Sequence, residues 1–284
     1  MSPSELLLEP LSSELDYKRA EKREKLIRLA NSVLFDFKYK KHFEDLMQAL
    51  NFNYDKVIDG FLEYNLDSIF ELPGNEIYSS IGNRFTLYIH NLLQGSWHIE
   101  RQQTICQFME GLHLHYIADI GFGVPSLYIK NILNNNIPIK IKLCDLYPSA
   151  FLFSSALLRL WDKDWDRKIS YIQTDMDQQD YVGFFDLYIF QDSIEHTINP
   201  TAYLKKYVNE SPPHSFFLLS LPIGPIIPGH YMAWNSNEEA ELWLKFCGLK
   251  IVSQKDVYPN LDVDLFANDL GSEFHNYMVL CSKN

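Results

Sequence analysis

Beyond Leu112 the sequence alternates between short apolar runs of strand length and polar stretches with a helical pattern. Alternation of this kind requires right-handed crossovers between parallel strands, which place helices on both faces of a mostly parallel sheet. The last two runs have no helical stretch between them, which predicts a terminal antiparallel hairpin. The seven predicted strands lie within residues 115–122, 139–146, 169–175, 184–192, 215–223, 249–258 and 275–283.

The first hundred or so residues have a different pattern. From Ser13 to about Asn65, apolar residues recur at intervals of three and four, which predicts helices. We therefore divide the chain into an all-helical region, residues 1–110, and an α/β domain, residues 111–284. The basic run over residues 18–28 favours a solvated helix face with pairs at i,i+4, and binding of a partner or nucleic acid is the alternative.

Composition excludes several classes of protein. With 284 residues, 46% of them hydrophobic, the chain can bury a large core and is not disordered. A net charge of −12 repels phosphate backbones, so we expect no nucleic-acid partner. The sequence has no secretory signal pattern and no apolar run of about 18 residues, so we expect no membrane partner and a cytoplasmic location.

The cysteines and histidines give no pattern typical of a metal site. The four cysteines are widely separated and have no C-x-x-C spacing, which predicts reduced residues in the core. His113 and His115 alternate on a predicted strand and share a face, but no third ligand is near them in the sequence. We therefore expect no metal.

Glycines and acidic residues follow three successive predicted strands. The first strand ends in Asp119, Gly121 and Gly123, where glycine allows a tight turn close to a ligand. Asp145 ends the second strand, where a carboxylate can accept hydrogen bonds from both hydroxyls of a ribose. Asp175 ends the third, where it can accept from an adenine amino group. Each aspartate alone could be a cap or turn residue, but three successive strand ends favour a nucleotide site.

These motifs resemble those of the class I S-adenosylmethionine-dependent methyltransferases, over about residues 110–284. The sequence DIGFG at 119–123 is similar to the family's glycine motif, and Asp145 and Asp175 to its ribose and adenine acids. Residues 184–200 are similar to the fourth-strand motif of the small-molecule branch, and residues 229–252 to a segment in which His-Tyr precedes a capped helix. The resemblance implies a Rossmann-like, mostly parallel seven-stranded sheet with a terminal antiparallel hairpin, preceded by an N-terminal all-helical extension.

The resemblance also implies an activity and a cofactor. We expect transfer of a methyl group from S-adenosyl-L-methionine to a small-molecule acceptor in biosynthesis, by in-line displacement. Asp177 is the alternative to Asp175 because the interval from Asp145 is long. The residues expected to bind the cofactor are Asp119, Gly121, Gly123, Asp145, Leu146, Asp175, Met176, Gln191 and Asp192.

Histidine is the natural general base for a hydroxyl or amine acceptor, because its pKa lies near neutrality. His196 directly follows the fourth strand and is the first candidate, although a capping or packing role is equally compatible with its position. His230 and Tyr231, in the loop after the fifth strand, are the next catalytic candidates. We expect Glu195 to orient a neighbour or cap a helix.

In this family, N-terminal extensions commonly cover the acceptor pocket. By that resemblance we name as substrate-binding candidates Tyr78, Arg84, Trp97, His98 and Arg101. Alternatively, these residues only pack the extension onto the sheet or form a dimer surface, and a homodimer is possible.

Two other functions remain open. Pro125 stands where the family often has a third glycine, which leaves open a catalytically inactive binding or scaffold protein with the same fold. The same fold could also use the donor for chemistry other than methyl transfer. A nicotinamide enzyme is disfavoured because Ser126 occupies the position at which its fingerprint needs glycine or alanine.

Overall fold

The structure, a computed structural model, describes residues 9–65, 78–178, 180–226, 229–259 and 274–284. The described part of the N-terminal region is helical and precedes the first strand. Its five α-helices are α1 (Glu9–Leu34), α2 (Lys40–Ala49), α3 (Tyr54–Glu63), α4 (Ile81–Leu93) and α5 (Ser96–Met109). The predicted helical extension is thus confirmed, whereas its separation from the rest as a domain stays a prediction.

Within the described residues, seven strands form one sheet, as the alternating pattern predicts. They are β1 (Tyr116–Ile120), β2 (Lys140–Asp145), β3 (Ile169–Gln173), β4 (Leu187–Gln191), β5 (Phe216–Ile223), β6 (Leu249–Val257) and β7 (His275–Lys283). The spatial order is β3-β2-β1-β4-β5-β7-β6. Strands β1 to β5 are parallel, and β7 is antiparallel to both β5 and β6. The predicted terminal hairpin is confirmed, and its last strand is inserted into the sheet.

Four α-helices connect strands in the part of the chain that the structure describes. They are α6 (Leu127–Asn134), α7 (Pro148–Trp161), α8 (Pro200–Glu210) and α9 (Asn237–Phe246). Strand order reverses between β1 and β4, because β2 and β3 lie on one side of β1 and β4 and β5 lie on the other. Ligands of open α/β sheets bind at this switch point, outside the carboxyl ends of the strands.

The helical extension packs directly onto the α/β part of the chain. Phe85 in α4 is fully buried and meets Phe153 in α7 edge to face, with ring centroids 5.1 Å apart. Burial of two such rings fixes α4 beside the helix that follows β2. The preceding residue, Arg84, is thereby held next to the carboxyl end of β2.

No helix within the described ranges is long and apolar enough to span a membrane. All four cysteines are free thiols, and three of them are buried.

Candidate functional site

The turn after β1 has the backbone geometry that its glycines predict. Gly121 and Gly123 have φ of +68° and +63°, a region that disfavours side chains. A Cβ at Gly121 would lie 2.7 Å from Cβ of Ser193, which follows β4. The Gly121 amide donates to the Cys144 carbonyl at 2.8 Å. The turn is therefore closely packed between the ends of β2 and β4.

Asp119, near the end of β1, is buried next to this turn. Its Oδ2 accepts a hydrogen bond of 2.6 Å from the Tyr128 hydroxyl, whereas its Oδ1 has no partner in the described part of the chain. Burial raises the pKa of Asp119 to about 7, and the negative charge of Asp145 adds to this effect, although the Tyr128 hydrogen bond opposes it. The carboxyl group is thus partly protonated near neutral pH.

Asp145, the predicted ribose acid, is bound by an arginine of the helical extension. Arg84 Nη2 donates to Asp145 Oδ1 at 3.0 Å, and Arg84 Nη1 donates to Oδ2 at 3.2 Å. The same Nη1 donates to the Gly123 carbonyl at 3.0 Å. Only 1% of Arg84 and 7% of Asp145 are exposed, so the ion pair is buried. One guanidinium group therefore spans the glycine turn and the acid.

A count of acceptor positions shows what this pair leaves for a ligand. A carboxylate offers about four lone-pair positions. Two positions of Asp145 are occupied by Arg84 and a third by the Tyr147 amide, which donates to Oδ1 at 2.9 Å. Since one position remains, Asp145 can accept both hydroxyls of a ribose only if Arg84 withdraws at least one N–H group.

A second arginine of the extension binds Asp192, after β4. Arg101 Nη1 donates to Asp192 Oδ2, and the guanidinium carbon lies 4.7 Å from the Trp97 ring centroid. Asp192 Oδ1 accepts from Ser220 Oγ at 2.6 Å and from Asn276 Nδ2 at 2.8 Å. Asp192 has a φ of +47°, which is uncommon for a residue with a side chain. These contacts hold that backbone in place.

The predicted catalytic histidines lie together. The rings of His196 and His230 are 4.6 Å apart between centroids and nearly perpendicular. Tyr78 approaches His196 from the extension, with ring centroids 5.9 Å apart. Burial lowers the pKa of His196, although the hydrogen bond to Gly229 opposes this, and burial lowers the pKa of His230 to about 3. Both rings are neutral at pH 7, and His230 is too weakly basic to be an efficient proton acceptor.

Tyr231 and Glu195 are joined through their backbones. The Tyr231 side chain is 51% exposed, and its backbone amide donates to the Glu195 carbonyl at 2.7 Å. Glu195 is fully buried beside His196 and His230, and burial raises its pKa well above the usual range, with the charge of Asp192 as a further cause.

At the third strand end, Met176 reaches the glycine turn. Its Cε lies 3.3 Å from where a Cβ on Gly121 would be. Asp175 is directed to its own loop, where its Oδ1 accepts from the Asp177 amide at 2.9 Å. Asp177, the alternative, accepts from the Ile198 amide at 2.7 Å and thus joins this loop to the loop after β4.

The remaining predicted site residues lie near this edge or within α5. Gln191 Oε1 accepts from Ser126 Oγ at 3.3 Å, and the Leu146 carbonyl accepts from Gln173 Nε2 at 3.0 Å. Trp97 and His98 are each 5% exposed, and burial lowers the pKa of His98 to about 3. Both therefore lie within the packing of α5 on the sheet.

Sequence reasoning missed several residues that support the acids. Ser149 Oγ is 3.4 Å from Arg84 Nε, and Ser220 and Asn276 hold Asp192. Ser220 and Asn276 come from β5 and β7, whose pairing has no signature in the sequence. Ser193 lies within the fourth-strand motif, where its small size was the only sequence signal that it could pack against the glycine turn.

Comparison with known proteins gives structural neighbours only. No protein-family model and no curated protein matches the sequence. Human N-acetylserotonin methyltransferase, in complex with SAM, is similar over 90% of this chain and 70% of its own, with 14% identity and a TM-score of 0.52. A chain of the complex between the Haloferax volcanii Trm112 methyltransferase activator and a candidate methyltransferase is similar over 72% of this chain and 97% of its own, with 15% identity and a TM-score of 0.51.

These identities establish the fold and no more. The strand order, the inserted antiparallel last strand, the glycine turn at the switch point and the two structural neighbours agree with one another. The resemblance found in the sequence is confirmed at this level: the chain has the fold of the class I S-adenosylmethionine-dependent methyltransferases.

Proposed function

We propose that the chain is an S-adenosylmethionine-dependent methyltransferase that acts on a small-molecule acceptor. One observation carries this proposal: a single guanidinium group contacts both the Gly123 carbonyl, at 3.0 Å, and the Asp145 carboxylate, at 3.2 Å. The glycine turn and the ribose acid are therefore close enough for one polar ligand to bind both. A nucleoside whose hydroxyls replace the N–H groups of Arg84 would satisfy the same acceptors.

Two further residues near the glycine turn also suit S-adenosylmethionine as the donor. Asp119 Oδ1 is buried without a partner in the described part of the chain, and Met176 lies against the glycine turn, where it can cover an adenine ring. When bound, S-adenosylmethionine supplies a methyl group on a sulfonium, activated for in-line displacement. Asp145 would orient the donor through its ribose, and Asp192 would place a carboxylate near its cationic end.

The protein's part in the reaction is mainly to position and to exclude water. Tyr78, Arg84 and Arg101 extend from the helical region onto the carboxyl edge of the sheet, so the extension covers the place where an acceptor would approach. Tyr78 and His196 would lie beside the acceptor. His196 is oriented by its contact with the Gly229 carbonyl, at 2.8 Å, and can hold the acceptor proton at its other ring nitrogen.

Calorimetric titration of the full chain with S-adenosylmethionine and with its demethylated product tests the donor site. We expect both to bind, and Asp145→Ala to weaken binding by about 1–3 kcal/mol, as for a lost charge-assisted hydrogen-bond pair. Asp145→Asn preserves the shape of the side chain, and Asp166→Ala, an exposed acid, is the matched control and leaves affinity unchanged. Unaltered affinity in both Asp145 variants would refute the ribose assignment.

The buried Arg84–Asp145 pair favours a second candidate, a binding or scaffold protein whose donor site stays closed. In such a protein Arg84 never leaves Asp145, and the extension is an interaction surface. Arg84→Met separates the two functions. Donor binding by the wild type supports the methyltransferase, whereas donor binding by the Arg84→Met variant alone supports the closed protein. Binding by neither contradicts the donor site. A cytoplasmic location, a homodimer and a role in small-molecule biosynthesis belong to the same proposal.

A further inference from the structure

Glu195, His196 and His230 form a compact group of metal-ligating side chains, named here the Glu195 cluster. Glu195 and His196 belong to a short 3-10 turn (Ile194–His196) after β4, and His230 belongs to the loop after β5. One ligand atom from each residue lies within 4.8 Å of the other two. Because β4 and β5 are adjacent and parallel, their carboxyl ends bring these loops together.

Two members of the cluster lack the partners that burial demands. Glu195 has no exposed surface, and neither of its carboxylate oxygens has a hydrogen-bond partner within the described residues. The buried Nδ1 of His230 also has none there. A buried polar group without a partner costs free energy, and a buried charge costs far more unless it is paired or coordinates a metal. The unsatisfied atoms therefore point to a bound group.

The contact of His196 fixes which of its nitrogens can coordinate. Its Nδ1 lies 2.8 Å from the Gly229 carbonyl oxygen, which can only accept, so Nδ1 carries the hydrogen. Nε2 then bears the lone pair. A metal-ligating histidine commonly donates its other N–H to a carbonyl or carboxylate, which orients the ring and raises the basicity of the ligand nitrogen.

The donor set selects a class of metal. One carboxylate oxygen and two imidazole nitrogens suit divalent ions of the first transition row, such as Zn²⁺, Co²⁺ or Mn²⁺, and leave at least one coordination position open. Mg²⁺ and Ca²⁺ prefer oxygen ligands throughout. The expectation of no metal rested on the absence of a local Cys/His cluster, whereas the Glu195 cluster forms only where β4 and β5 bring distant residues together.

We propose that the Glu195 cluster binds one divalent transition-metal ion through Glu195, His196 Nε2 and a ring nitrogen of His230. None of these three residues is among those proposed to bind the donor, which are Asp119, Asp145, Met176, Asp192 and the glycine turn. His196 Nε2 has one lone pair, so in the metal-bound protein it cannot also hold the acceptor proton. Metal binding and donor binding can therefore each be present without the other, and each is measured separately.

The test uses the full chain after dialysis against a chelator. We expect Co²⁺ to give a visible absorption spectrum typical of nitrogen ligation, and calorimetry with Zn²⁺ to show about one ion per chain. Glu195→Gln, His196→Gln and His230→Gln should each weaken Zn²⁺ binding at least about 100-fold, which exceeds the roughly 10–100-fold loss typical of outer-shell partners. The matched controls His113→Gln and His214→Gln replace exposed histidines and leave affinity unchanged.

NMR of the wild-type protein tests the site without relying on variants that could fail to fold. Zn²⁺ should shift the imidazole nitrogen resonances of two histidines, and His113→Gln should leave both shifts in place. Binding at these two rings in the wild type supports the proposal even where a variant is unstable. The proposal is overturned if the wild type binds no stoichiometric Zn²⁺ or Co²⁺, or if affinity survives in a folded His196→Gln/His230→Gln double variant.

Discussion

Arg84 and Asp145 form a buried ion pair, so removal of either charge should destabilise the fold strongly. Arg84 is 1% exposed and Asp145 7%. In Arg84→Met the aliphatic volume is largely kept, but Asp145 retains only the Tyr147 amide as a donor among its present partners. Breaking a buried pair by removing one partner costs about 3–5 kcal/mol, because the other charge is left uncompensated.

A double-mutant cycle measures the coupling of the pair. The double variant Arg84→Met/Asp145→Asn removes both charges. Its loss of unfolding free energy should therefore be smaller than the sum of the losses in the two single variants, by at least about 2 kcal/mol. Urea unfolding, followed by tryptophan fluorescence and by circular dichroism, gives the free energy of unfolding of each variant from the midpoint at constant slope. Coincident transitions by the two probes justify the two-state treatment.

An exposed pair provides the matched control. Arg28 and Glu24 are 3.6 Å apart on α1, with side chains 73% and 75% exposed. Arg28→Met should cost no more than about 0.5 kcal/mol, since exposed pairs contribute little and are screened by salt. The buried pair should keep its coupling at 1 M NaCl. A cost for Arg84→Met below about 1 kcal/mol, or simple additivity in the cycle, would refute the reasoning.

Two further predictions concern the turn after β1. Because the folded-state pKa of Asp119 is raised to about 7, the carboxyl stays protonated in the folded chain while it ionises in the unfolded chain, so stability falls as pH rises from about 4 to about 7 and levels off above. Asp119→Asn should remove this fall in stability, which approaches about 1.4 kcal/mol per pH unit in the wild type. Thermal melts of both proteins at pH 5 and 7 measure the pH dependence. An equal pH dependence in the two proteins would contradict the prediction. Gly121→Ala should cost about 2–4 kcal/mol in urea unfolding, because the new Cβ would clash with Ser193 and the backbone is left-handed. Gly111→Ala is the control, because Gly111 has φ of +79° but no atom within 4 Å of a new Cβ. This variant should lose only the free energy of backbone strain. Equal losses of stability in the two variants would exclude the clash with Ser193.

The α/β fold could be predicted from the sequence because it depends on local periodicity. Each of the seven predicted strands contains an observed one. The sequence has no helical pattern before the last strand, and this correctly indicated an antiparallel partner. The sequence did not show that β7 lies between β5 and β6, since strand order depends on contacts between distant segments. For that reason Asn276 was not recognised as a partner of Asp192.

The sequence indicated which strand ends and turns carry the candidate site residues, but not which side chains those residues contact. Gly121, Gly123 and Asp145 lie where the motif indicates, because strand ends and turns are local features. Arg84 and Arg101 were expected to line an acceptor pocket. In the structure they bind Asp145 and Asp192, because packing of α4 and α5 on the sheet decides which groups these long side chains reach.

The sequence by itself therefore determined the class of fold and the residue types at the ends of its strands, since both follow from patterns that span a few residues. Only the tertiary structure decided what those residues contact. A buried carboxylate needs a partner, and the partner of Asp145 comes from a helix some sixty residues earlier in the chain. The same holds for the Glu195 cluster, whose third member joins it only because β4 and β5 are neighbours.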